Sequence, residues 1–276
     1  MVDRLEDHER IEDQERLRGV TPKDEENLTV EEELLSGLDP LIEDHLLLEV
    51  IRPIKSGKEA VVYLSRAHPS LGQDLVAAKI YRPPDRRSFK RDTVYQQGRD
   101  RGSRPDVREL KAHGRKTRGG RARKHTAWIS HEMRSLKALH EAGADVPEPF
   151  VQHGPVILME YIGDADHPAP VLVGITLGKG EAADLYRRVM RNVETFLVHH
   201  RVHADLSAYN MLLWEGRLTI IDFPQAVDPR YNDDAFDLLL RDIENVNEYF
   251  ADQGVEVVDP ISHGLSIWRK HIDPNR

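Results

Sequence analysis

The chain has 276 residues, 39% of them hydrophobic and 32% charged, with a formal net charge of −9 and no cysteine. Such a length carries one large domain or two lobes with a sizeable core. The absence of cysteine excludes disulfides and thiolate metal sites; no apolar run spans a bilayer and "MVDRLEDHER" lacks a signal-peptide core, so the expectation is a cytoplasmic protein with no membrane partner.

In chain order, residues 1–27 hold few apolar side chains and no sustained periodicity, and read as an acidic extension, disordered or loosely helical. Counted to residue 49, the chain carries 17 Asp/Glu against 5 Lys/Arg. In "TVEEELLSGL" Thr29 is a candidate N-cap, Glu32 its capping-box partner and Gly37 the stop. "HLLLEVIRPIKSGKEAVVYLSRA" predicts two strands joined by a tight turn, and "QDLVAAKIYRP" a third. Residues 82–125 then hold 16 Lys/Arg against 5 Asp/Glu, and the glycine-dotted pattern to Lys124 predicts no ordered core element. That stretch is either a surface for nucleic acid or a phosphorylated ligand, or a solvated insertion that serves solubility or docks on the acidic N-terminal segment. Helical periodicity returns in "TAWISHEMRSLKALHEAG", with Trp128, Ile129, Met133, Leu136 and Leu139 on one face and Gly143 as the stop. "PEPFVQHGPVILMEYIG" predicts a strand pair, "GEAADLYRRVMRNVETFLVHHR" a long amphipathic helix, "MLLWEGRLTIIDF" a hairpin, and "DAFDLLLRDIENVNEYFADQG" a final helix. The fold class is therefore α+β, with a β-rich lobe over 28–162, interrupted by the basic stretch, and a mostly helical lobe over 163–276.

Chemistry concentrates in a few places. Lys79 lies mid-strand between apolar residues, where a lysine is costly unless paired; it is either a charge for nucleotide phosphates or an edge-strand lysine facing solvent. Glu132 is the candidate partner, with Glu141 as competitor near the helix end. "HADLSAYN" places Asp205 and Asn210 five residues apart in a polar loop, and "TIIDFPQAVD" places Asp222 after an apolar strand. Phosphoryl transfer asks a protein mainly to position groups and neutralise charge. Asn210 and Asp222 are hard oxygen ligands suited to Mg²⁺, and Asp205 is placed to accept a hydroxyl proton. The bland alternative is that Asp205 and Asn210 cap turns. His199, His200 and His203 match no zinc spacing and read as packing residues, as do Trp214 and Trp268.

The ordered set "SGKEAVVY", "AAKIY", "ILMEYIG", "HADLSAYN" and "IIDFPQAVD" resembles the RIO-type atypical serine/threonine protein kinases, over about residues 30–255. The resemblance implies a two-lobed protein-kinase-like fold without the usual activation segment, and a cofactor set of ATP with Mg²⁺ or Mn²⁺. It assigns nucleotide binding to Ser56, Gly57, Lys58, Glu59, Val62 and Lys79, with Glu132 pairing Lys79. Met159 takes the gatekeeper position, and backbone groups of Glu160 and Ile162 would meet adenine. Asp205 matches the catalytic aspartate, Asn210 and Asp222 the metal ligands, and Asp222 is a candidate phosphoryl acceptor. Residues 82–125 match the family's flexible loop, a candidate contact for RNA or a ribosomal particle. Ala204 stands where many members carry glycine, and the acidic N-terminal 49 residues leave no room for a winged helix. The expected function is an autophosphorylating protein kinase or ATPase with an unknown protein acceptor. The alternatives are a small-molecule phosphotransferase of the aminoglycoside-kinase type and a nucleotide-regulated RNA- or protein-binding switch.

Overall fold

The structure is a computed structural model and describes Glu32, residues 34–83 and residues 118–275. Its elements are α1 (Asp39–Glu43), β1 (Leu47–Ser56), β2 (Ala60–Ala67), β3 (Leu75–Tyr81), α2 (Arg118–Glu141), β4 (Pro149–His153) and β5 (Val156–Glu160). They continue as α3 (Lys179–Val198), β6 (Met211–Trp214), β7 (Arg217–Ile220), α4 (Ala235–Asp252) and α5 (Pro260–His271). Five strands form one sheet in the order β1-β2-β3-β5-β4, antiparallel at every pairing.

The central strand β3 explains how this lobe works. "LVAAKIY" is small, branched and buried on both faces, so its two-residue period sorts its side chains between two cores. Val76, Ala78 and Ile80 join Leu38, Leu41 and Leu47 beneath the outer face. Ala77 and Tyr81 join Ile129, Leu136 and Leu139 of α2 on the inner face. Lys79 falls on the inner face by the same alternation, among apolar neighbours and opposite α2. The expectation of a solvent-facing edge lysine is thereby removed.

Helix α2 ends where expected. Gly143 adopts φ +75°, its N–H donates to the His140 carbonyl and the Ala144 N–H to the Leu139 carbonyl, a pairing that satisfies the last helical carbonyls and favours glycine. The next loop is tied to the helical lobe by Asp145, which takes both Arg188 nitrogens at 2.7 Å and the Asn192 amide at 2.7 Å. In that lobe α3 buries Ala182, Leu185, Tyr186, Val189, Met190, Val193, Phe196 and Leu197, the spacing of a single apolar stripe. The β6–β7 hairpin and α4 pack on the same core.

Three expectations are corrected. Gly37 does not stop the first helical segment, which continues through Ser36–Leu38 into α1 because Leu38 and Leu41 bury completely against the sheet. The basic stretch is not structureless to its end: α2 begins at Arg118, inside it, since Arg, Ala and Lys are good helix formers. Helix α4 is not the final one. Asp259 caps α5 through the Ser262 N–H at 2.7 Å, with Pro260 at the first turn. There a Cβ on Gly264 would come within 2.5 Å of a terminal methyl of Leu240, so a larger residue would have to displace that side chain. Thr29, residues 1–27 and residues 84–117 lie outside the described residues.

Candidate active site

Lys79 sits between two carboxylates. Its Nζ lies 2.8 Å from Glu132 Oε1 and 2.7 Å from Asp222 Oδ1, and 5.1 Å from the Tyr81 ring centre. Glu132 is 1% exposed, whereas the Asp222 side chain keeps 39% of its surface open to the cleft, so one partner anchors Lys79 and the other is exchangeable. Burial opposes the ammonium charge, but Asp222 and Glu132 outweigh it and hold the Lys79 pKa above its ordinary value. Burial pushes the Glu132 carboxyl up despite Lys79. For Asp222 burial also acts upward, yet the Lys79 charge and hydrogen bond win and the pKa is lowered, so this carboxylate is ionised. Glu141 is exposed near the helix end and makes no such contact.

The loop after α3 and the loop after β7 meet beneath this triad. Val202 and Val227 pair their backbones, and the Ile221 N–H donates to the Asn210 carbonyl at 2.9 Å. Asn210 is buried and its Nδ2 donates to the Asp205 carbonyl at 2.9 Å, which fixes its oxygen as the free acceptor. Asp205 stays exposed to the cleft; partial burial and the nearby Asp222 charge raise its pKa. Asp222 has φ +74°, a left-handed backbone that stores on the order of 1–3 kcal/mol. The next residue holds it there: Phe223 is fully buried, edge-on to Phe196 and 4.5 Å from His203.

His203 is a structural part of this floor. Its Nδ1 accepts the Asp205 N–H at 3.3 Å, which leaves Nε2–H to donate to the Ile221 carbonyl at 3.1 Å. Burial pushes its pKa down to about 4 from 6.5. Because the folded value is the lower one, its stabilising effect is complete above pH 6.5 and is lost as pH falls toward 4, a span of about 3 kcal/mol. Urea unfolding of wild type and His203→Gln should therefore show a stability difference that shrinks by that order from pH 6.5 to 4. A difference constant with pH would contradict this role.

One residue that the sequence reading missed is Asp242 of α4, 2% exposed, whose carboxylate accepts the Ala204 N–H at 2.7 Å and the Leu206 N–H at 2.9 Å. Burial raises its pKa to about 7. It was detectable as an acid at a core position of the α4 apolar stripe, between Leu238, Leu239 and Val246. Ala204, whose methyl is fully buried, has φ +67°, so glycine is the unstrained residue there; the Asp242 bond and the Arg241 guanidinium on its carbonyl hold the alanine in place.

The remaining candidates line the cleft roof. Val62 pairs in register with Lys79. In the β1–β2 turn the Gly57 N–H donates to the Ala60 carbonyl at 2.9 Å, and Arg82 grips the turn at the Gly57 carbonyl and Ser56 Oγ, each at 3.1 Å. Lys58 and Glu59 are exposed on it. Met159 is buried beside Ala77 at the end of β5. The Glu160 N–H donates to the Glu148 carbonyl at 2.8 Å, and its carboxylate is bridged by Arg217 of β7 at 2.5 and 2.9 Å. The Ile162 carbonyl accepts from the Ala169 N–H.

Among the described residues no three His, Asp or Glu side chains gather as a metal cage. The ionised Asp222 and the amide oxygen of Asn210 are donors that fit a hard divalent cation sharing its shell with phosphate and water. No helix among the described residues is long and apolar enough to cross a membrane.

Most of the chain matches known proteins. The RIO domain family matches residues 61–262. The chain is 32% identical over 219 residues to serine/threonine-protein kinase RIO1 of Caenorhabditis elegans, covering 79% of this chain and 40% of that protein. To RIO1 of Homo sapiens it is 32% identical, covering 77% and 35%. To the RIO-type kinase Rio1 of Thermoplasma acidophilum it is 35% identical, covering 48% and 68%. The chain thus spans about two-fifths of the length of the first two relatives. The solved Rio2 kinase–ADP/Mg²⁺–phosphoaspartate complex of Chaetomium thermophilum shares the fold, with a TM-score of 0.61 and 20% identity over 83% of this chain and 65% of that one.

Proposed function

The chain belongs to the RIO family of serine/threonine-protein kinases, and we propose that it transfers the γ-phosphoryl group of ATP to a hydroxyl of a protein acceptor, its own chain included. The observation that carries this reading is Lys79 held between a buried and a cleft-facing carboxylate, with Asp205 and Asn210 on the adjoining loop.

Lys79 offers its charge to the nucleotide phosphates while Glu132 keeps it oriented, and Asp222 and Asn210 would hold Mg²⁺ or Mn²⁺. When bound, that cation neutralises charge on the phosphate oxygens. Asp205 takes the proton of the acceptor hydroxyl as its oxygen bonds to the γ-phosphorus; the bond to the β–γ bridging oxygen breaks and ADP leaves. Partial burial and the Asp222 charge raise the Asp205 pKa, which makes its carboxylate a stronger base than an ordinary aspartate's.

The open edge of Asp222 favours a second acceptor. Attack by its carboxylate oxygen on the same phosphorus gives an acyl phosphate and ADP, as the name of the Rio2 complex describes for that protein. Hydroxylamine separates the two readings, since it releases acyl phosphate and leaves phosphoserine intact.

Asp205→Asn should lower transfer to serine or threonine by about 100- to 10,000-fold with ATP affinity little changed. Transfer within a few-fold of wild type would remove Asp205 as the base. A small-molecule phosphotransferase is not favoured by these relatives. Contact of residues 82–125 with RNA or a ribosomal particle belongs to the same proposal; its mark is an RNA affinity that falls steeply with salt and differs between ATP and ADP.

A further inference from the structure

The β1–β2 turn brings a second lysine toward the cleft. Strand register fixes its face: Lys55 pairs with Val62, and Val62 pairs with Lys79. Directly paired residues on neighbouring strands point to the same side of a sheet. An irregularity between Pro53 and Lys55 in β1 sets this phase, so that Pro53 aligns with Tyr63, an outer-core residue, and Lys55 with Val62, which packs on the inner core. Without the extra residue Lys55 would lie on the face away from the nucleotide phosphates.

Three further observations bear on what Lys55 does. It is exposed, at the penultimate position of β1. No salt bridge or hydrogen bond engages its ammonium among the described residues, although Arg66 of β2 and Arg82 just after β3 are both engaged. Its positive charge also acts on the Asp222 carboxylate. Lys79, by contrast, already carries two carboxylates, leaving its positive charge balanced before any phosphate arrives. A polyphosphate placed between Lys79 and Asp222 therefore meets more negative charge than Lys79 alone offsets.

Building on the kinase reading, we infer that Lys55 is a nucleotide-binding residue, a cation beyond Lys79 and the turn's Lys58, that meets the terminal phosphates of ATP from the roof of the cleft. Being exposed, it adds a modest, salt-sensitive contribution, and it discriminates by phosphate number, since adenosine carries no charge for it to meet.

The test is binding of ATP, ADP and adenosine to the full chain by calorimetry at two ionic strengths, for wild type, Lys55→Ala, Lys55→Glu and Lys55→Arg. Lys55→Ala should weaken ATP by about 5- to 10-fold and ADP by less, with adenosine unchanged. Lys55→Glu should weaken ATP further, Lys55→Arg should restore it, and the wild-type advantage should shrink in high salt. Equal ATP affinity in wild type and Lys55→Ala, or equal losses for ATP and adenosine, would overturn the inference while leaving the kinase reading intact. Failure of wild type itself to bind ATP would instead overturn the kinase reading. Lys55 is exposed and bonded to no described side chain, so these variants are expected to fold; matched thermal unfolding without nucleotide checks that.

Discussion

Asp222→Asn is expected to abolish Mg²⁺-dependent ATP turnover, by at least about 100- to 1,000-fold, while leaving the fold intact. Asparagine is the informative replacement because Asp222 occupies a left-handed backbone conformation at φ +74°. Asn tolerates that region, whereas alanine would add strain to the lost charge. The substitution thus removes one negative charge and little else. It removes the exchangeable partner of Lys79 and, on the proposed reading, a ligand of the cation. ATP affinity without metal should change far less than turnover, because Lys79 and Glu132 remain. Turnover within a few-fold of wild type would place the phosphoryl chemistry elsewhere.

The second large effect concerns Lys79 and Glu132, whose roles in stability and in chemistry can be separated. Lys79→Met leaves Glu132 buried and uncompensated, a loss of about 3–5 kcal/mol, moderated where the carboxyl takes up a proton. Adding Glu132→Leu removes the orphaned group and fills the space between β3 and α2 with apolar side chain, so stability should return. Turnover should not return, since the lysine that links β3 to Asp222 is still missing from the base of the site. Urea unfolding and ATPase rates on the two variants and wild type check both halves. Recovery of turnover in the double variant would refute the role assigned to Lys79; failure to recover stability would refute the account of the buried pair.

Much of the site was legible because each of its residues violates a local rule. Lys79 is a charge inside a run of small and branched residues, and Asp222 is an acid ending a buried strand; such residues need a partner, and the structure places them together. Glu132 neighbours the apolar face of α2, whereas Glu141 sits near the helix end, and of the two only Glu132 reaches Lys79. Asp242 obeyed the same rule and went unread, although its burial between leucines on α4 is the same kind of anomaly. Other parts left no mark in one dimension. The left-handed backbone of Asp222 and Ala204 is imposed by packing around Phe223 and by the Asp242 bonds, neither of which falls within a local window. The Arg82 grip on the β1–β2 turn joins residues about 25 apart, and the charge-rich composition around it concealed a specific contact. Helix α5 carried its signals in Asp259 and Pro260, the N-cap and first-turn proline that open it.

The most direct test of the account is incubation of the full chain with [γ-³²P]ATP and Mg²⁺, following ADP release in wild type and Asp222→Asn side by side. The account predicts Mg²⁺-dependent ADP release accompanied by protein-bound label in wild type, and neither in the variant. Undiminished ADP release by Asp222→Asn, or none by a wild-type chain that binds ATP, would contradict it.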